Sequence, residues 1–155
     1  MTTDLDPNNP VVKLCVAGMQ AEGENRLDEA HKLFRAAWAA RQDDFDACIA
    51  AHFLARHRPP EEMRHWNQVA LDHANAVEDE RIQGFYPSLY LNLGWSYEQL
   101  ADLAAAGRYY ALAVARLDNL PAGPYADVVR KGVAAGQARL ATEVAATVAK
   151  PTYVG

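Results

Sequence analysis

Residues 90–113 read YLNLGWSYEQLADLAAAGRYYALA, and the spacing of small and bulky apolar residues in this stretch decides the fold. The anchor is Gly94, preceded by Tyr90 and Leu93 and followed by Tyr97, then Ala106, Tyr110 and Ala113. Around Gly18 the same intervals carry Leu14, Ala17, Ala21, Ala30, Phe34 and Ala37. In both copies an alanine stands 12 residues after the glycine, an aromatic 16 after and a second alanine 19 after. A weaker copy surrounds Ala51, with Ala47, Ala50 and Leu54, then Met63, Asn67 and Ala70. Apolar residues three and four apart predict helices on both sides of each anchor. Small residues at a crossing let two helix axes come close, and bulky ones fill the space where the next helix packs.

Gly18 and Ala51 are 33 residues apart, close to the ~34-residue period of tetratricopeptide repeats. The chain resembles that family over residues 11–118. The resemblance implies an all-α, right-handed α-solenoid of about three helix–turn–helix repeats, at 11–42, 44–76 and 87–118. Ala51 and Gly94 are 43 residues apart, so about nine extra residues fall between 77 and 87 relative to the repeat period. Either the fourth helix is longer, or the loop carrying Gly84, Phe85 and Tyr86 is.

Local signals set the expected boundaries. Residues 1–10 read as a polar N-terminal tail, and Pro10 begins the ordered part of a single domain at 11–147. Asn25 with Asp28 resembles a capping pair for the second helix. Asp43-Asp44 starts a third helix that runs to about Arg58, because Pro59-Pro60 cannot continue it. Pro60 with Glu61-Glu62 suits the first turn of a fourth, a fifth starts at Pro87 or Ser88, and Asp102 caps a sixth. Asp118, Asn119, Pro121, Gly123 and Pro124 mark a break. A more polar capping helix follows at about 125–146, as the last apolar face of a repeat stack requires, and 148–155 reads as a tail. Gly132 and Gly136 predict close packing of this helix on the sixth, or alternatively a dimer contact.

Twenty acidic against 15 basic residues give a net charge of −5, and no basic run suggests a nucleic-acid partner. The opening MTTDLDPNNP has no basic segment followed by an apolar core, and no apolar run reaches the ~18–20 residues of a membrane span. A cytoplasmic location without a membrane partner is expected. Cys15 and Cys48, each three residues before a repeat anchor, read as reduced, buried thiols. Equivalent sites on neighbouring helices lie ~8–10 Å apart, beyond the ~7 Å limit of a disulfide.

In the family the first helix of each pair lines a concave surface. The resemblance therefore implies an outward set of Val12, Cys15, Met19 and Glu22; Phe45, Cys48, His52 and Ala55 with Arg56 alongside; and Ser88, Leu91, Trp95 and Glu98. Such a patch marks a groove with apolar walls and a polar rim, suited to a peptide or amphipathic helix from a protein partner. The competing reading folds the terminal helix or the 77–87 segment over these residues and makes them core. A chaperone-tail carboxylate clamp is disfavoured: the family's clamp needs lysine, arginine and asparagine, whereas Cys15, Met19, Cys48 and Leu91 stand at such places and only Asn92 would serve.

Other chemistry is sparse. His52, His57, His65 and His73 lack the i,i+4 spacing of paired metal ligands on a helix, so no metal or cofactor is expected. No nucleophile or phosphate-loop motif occurs, although His52 with Glu22 or Glu98 could form an acid–base pair across the groove. Phe85, Tyr86, Pro87 and Tyr90 form an aromatic segment, expected either against Trp66 or as a ligand wall. The leading expectation is a non-catalytic protein- or peptide-binding module. Its rivals are a pocket for a small apolar molecule, with acid–base chemistry at His52, and a structural homodimer built through the terminal helix.

Overall fold

The computed structural model describes residues 5–149. The described residues are all-helical and contain no strand. Helices α1 (Pro10–Gly23) and α2 (Leu27–Ala40) form one hairpin, α3 (Asp44–Leu54) and α4 (Pro60–Ala76) a second, and α5 (Tyr86–Gln99) and α6 (Leu103–Arg116) a third. Helix α7 (Pro124–Ala149) follows, so the helix continues past 148; residues 150–155 and 1–4 of the expected tails lie outside the described residues. No described helix is long and apolar enough to cross a membrane.

The first and third hairpins match residue for residue at an offset of 76: all four helices have 14 residues and begin at corresponding positions. Their turns match as well. Asn25 (φ 59°) and Ala101 (φ 61°) both adopt the left-handed conformation. In each, the amide of that residue bonds the carbonyl three residues back, at 2.9 and 3.0 Å, and the next amide bonds the carbonyl five back, at 2.8 and 3.0 Å. This pair of bonds closes a helix C-terminus. Asn25 therefore ends α1 rather than capping α2, whose N-cap position is Arg26 without a side-chain bond. The expectation failed because asparagine favours both roles.

Packing follows the sequence intervals. A Cβ on Gly94 would sit 2.6 Å from the Tyr110 ring, and one on Gly18 would run into Phe34. Both rings are buried, and Phe34 stacks on Phe53 at 5.2 Å. A Cβ on Gly136 would meet the opposite neighbour, Tyr110, while one on Gly132 would lie 2.9 Å from Leu91. The two α7 glycines thus serve close packing, one on α6 and the other on α5.

The extra residues between the second and third repeats divide two ways. Helix α4 has 17 residues, and Glu80–Phe85 forms a 3-10 turn. Helix α3 ends at Leu54 rather than near Arg58, since His57 turns the chain with φ 58°. Residues 5–9 are not a free tail. Leu5 packs on the core, Asn9 accepts the Val11 amide at 2.8 Å, and its side chain donates to buried Asp46 at 2.7 Å.

Candidate functional site

The expected open face is partly covered, by both of the elements that could cover it. Helix α7 lies across the α5 residues: Tyr125 hydroxyl bonds Ser88, Gly132 meets Leu91, and the Arg139 guanidinium stands 5.0 Å over the Trp95 ring. Arg139 also pairs with buried Glu98 at 2.9 Å, and Tyr110 donates to the same carboxylate at 2.8 Å. The 3-10 turn covers Phe45, whose ring meets Phe85 edge-on at 5.6 Å beneath Arg81. Cys48 is fully buried. Phe45, Cys48, Leu91 and Glu98, expected on a groove, are instead packed within the fold.

What remains open is a cavity of about 610 Å³. Helix α1 supplies Val12, Cys15, Val16 and Met19 on one wall, and α3 supplies Ile49, His52 and Phe53 on the other, with Arg56 just beyond its end. Ser88 and Tyr125 close one end, and Leu5, Pro7 and Lys13 border it. Val12 and Cys15 are buried in the wall, whereas Val16 and Met19 are 53% and 40% exposed at the rim. Val16, Ile49 and Phe53 lie one position from expected groove residues and belong to the same helix faces. Tyr125 had no sequence signal, because only tertiary packing brings α7 to α5.

A smaller cavity of about 260 Å³ adjoins it, lined by His52 and Arg56 again with Ala55, His57, Met63, Asn67, Asn92 and Trp95. The Asn92 amide nitrogen lies 3.2 Å from His52 Nδ1. An amide nitrogen only donates, so Nδ1 accepts and the ring proton resides on Nε2. Burial, with the nearby Arg56 charge, lowers the His52 pKa to about 4, and the imidazole is neutral at physiological pH.

Glu22 is committed elsewhere, to Arg56 at 2.8 Å and His57 at 2.9 Å. Neither Glu22 nor Glu98 is brought to His52, and the acid–base pair considered from sequence does not form. Of the remaining histidines, His73 bonds Asp44 at 2.8 Å and His65 meets Trp66 edge-on. No group of three or more metal-ligating side chains occurs among the described residues. The aromatic segment also resolves. Tyr86 donates to Asn75 at 2.9 Å and begins a run of rings through Tyr90 and Tyr109 to Tyr97, while Trp66 pairs with Trp38.

Both cysteines are free, and burial pushes each thiol up to about 12. The thiolate is the reactive form, so at pH 8 a disulfide reagent is expected to count two thiols, reacting at least tenfold more slowly than in the urea-unfolded chain. Native reaction at the unfolded rate would place one of them on the surface.

No known protein family matches this chain, and no match is found among characterised proteins or solved structures.

Proposed function

We propose that this chain is a non-catalytic binding module of the tetratricopeptide kind, a right-handed stack of three helical hairpins closed by α7, working in the cytoplasm. Its partner is a protein that inserts an apolar side chain into the larger cavity. The observation that carries this reading is the pairing of an apolar cavity with half-exposed Val16 and Met19 at its rim. Large apolar groups left in water beside a cavity are the usual mark of a contact surface. The residue-for-residue match of the first and third hairpins supports the repeat reading. The absence of a carboxylate beside His52 among the described residues supports binding without chemistry.

The volume favours one further reading, an apolar small molecule, since such ligands occupy cavities of about 300–1,000 Å³. The homodimer has less support. Exposed Val128 and Val144 on α7 are 16 residues apart, ~24 Å along the helix, and do not make one patch.

Selection of peptides from a random library against the protein tests the reading. Selected sequences are expected to carry a large apolar residue and to lose at least tenfold in affinity against Val16→Asp/Met19→Asp, whose side chains are exposed enough to change without unfolding. Apolar contact is little screened by ions, so raising salt from low to high is expected to change affinity less than about twofold. Peptides indifferent to the double variant but strongly weakened by salt would place the site elsewhere.

A further inference from the structure

The middle hairpin lacks the buried aromatic residue of the repeat pattern. Sixteen residues after the anchor, the first and third hairpins carry Phe34 and Tyr110, whereas the middle one carries Asn67. Asparagine is far smaller than either ring, and the 260 Å³ cavity lies at this place, with Asn67 in its wall.

Asn67 is 2% exposed. Its amide nitrogen donates to Ser96 Oγ at 2.9 Å and lies 3.4 Å from the Asn92 carbonyl. Its Oδ1, sealed from solvent, has no hydrogen-bond partner. A buried acceptor left unpaired is destabilising because its lost hydration is not replaced, a penalty that the aromatic residues of the other hairpins do not incur. Around the same cavity stand donors. Nδ1 of His52 is taken by Asn92, which leaves Nε2–H with no protein acceptor among the described residues. Arg56 uses only Nε on Glu22.

We propose that this cavity binds a carboxamide, with its N–H donated to Asn67 Oδ1 and its carbonyl accepting from His52 Nε2–H. An anion would meet the Asn67 acceptor without a proton to offer, and a cation would meet Arg56. A neutral group carrying both a donor and an acceptor satisfies both sides. Met63 lies one turn before Asn67 on the same face of α4, and its unbranched side chain is the part of the wall that gives way most cheaply to admit the ligand. The site is distinct from the apolar cavity, although His52 and Arg56 border both.

The test is a titration of the 15N-labelled protein with N-methylacetamide, following the Trp95 indole and Asn67 side-chain amide signals. Saturable shifts are expected, with binding at least fivefold weaker for acetone, which only accepts, and for methylammonium, which only donates. Asn67→Leu is expected to abolish the shifts and His52→Gln to weaken binding at least fivefold; the spectra themselves report whether each variant is folded. No saturation, equal binding of acetone, or undiminished binding in either folded variant would overturn the proposal. N-acetyl-leucine methylamide distinguishes the sources. An affinity at least tenfold above N-methylacetamide assigns the amide to a peptide whose side chain reaches the apolar cavity, and equal affinity assigns it to a free small molecule. The simple amide is expected to bind Val16→Asp/Met19→Asp as tightly as the parent, so failure of the apolar cavity and failure of this site are separate results.

Discussion

Gly94→Leu is expected to lose about 3 kcal/mol or more of folding stability, and Gly136→Leu as much. Overpacking a core usually costs about 1–3 kcal/mol because neighbours shift to make room. Here the neighbour has nowhere to go. The Tyr110 ring is fully buried between Gly94 on one side and Gly136 on the other, and its hydroxyl is fixed by Glu98 at 2.8 Å. A Cβ alone at Gly94 would already stand 2.6 Å from the ring, and leucine adds three more carbons. For a domain of this size each kcal/mol moves the melting temperature by about 2–4 °C, so a fall of about 6–12 °C is expected by calorimetry. Gly84→Ala is the control: nothing lies within 4 Å of a Cβ there, and its midpoint should hold within about 2 °C. A Gly94→Leu midpoint equal to the parent's would sink the close crossing of α5 and α6.

That crossing was legible in the chain because glycine and an aromatic sixteen residues later answer each other twice, at Gly18 with Phe34 and at Gly94 with Tyr110. The helix starts at Asp43, Pro60 and Asp102 were legible too, since each supplies chemistry that only a first turn needs. Helix ends were harder. Asn25, His57 and Ala101 all turn left-handed, yet none is glycine, so the usual mark of a helix C-terminus is missing. All three are exposed, and at Asn25 and Ala101 local backbone hydrogen bonds close the helix end instead.

The site was half legible for a different reason. Periodicity assigns a side chain to a face of its own helix but does not say what lies against that face. Val12, Cys15, Met19, His52 and Arg56 border the larger cavity. Phe45, Leu91 and Glu98 fell on corresponding faces and are covered, by the 3-10 turn at Glu80–Phe85 and by α7. Those two elements stand outside the repeat, so no interval pattern could announce where they dock. Asn67 is the opposite case. Its departure from Phe34 and Tyr110 was visible in the letters, but only the buried, unpaired Oδ1 gives that departure a chemical meaning.

Acidification is expected to remove about 2–3 kcal/mol of stability between about pH 6.5 and pH 4, chiefly through His52. Unfolded, its imidazole takes a proton near pH 6.5. Folded, burial and then the Arg56 charge hold the ring neutral down to about 4. The unfolded chain therefore binds one more proton across that window, and stability falls as pH falls, by at most ~1.4 kcal/mol per unit. The 2.5-unit gap sets a ceiling of ~3.4 kcal/mol, and partial exposure of the ring reduces it. His31, also lowered by burial and neighbouring arginines, adds loss of the same sign. Glu98 acts at lower pH. Burial raises its pKa, but the hydrogen bonds from Arg139 and Tyr110, with the Arg139 charge, outweigh this and lower it overall; its contribution is present above about pH 4.5 and disappears below. Urea unfolding at pH 7, 5.5 and 4.5 separates these groups. His52→Gln should flatten most of the fall between pH 6.5 and 4.5, leaving the His31 share and the later Glu98 loss. A variant with the parent's full slope would show that His52 already carries a charge in the native protein. A charged ring keeps Nε2–H but also carries a proton on Nδ1, which then no longer accepts from Asn92; the neutral lining on which the Asn67 site depends would be lost.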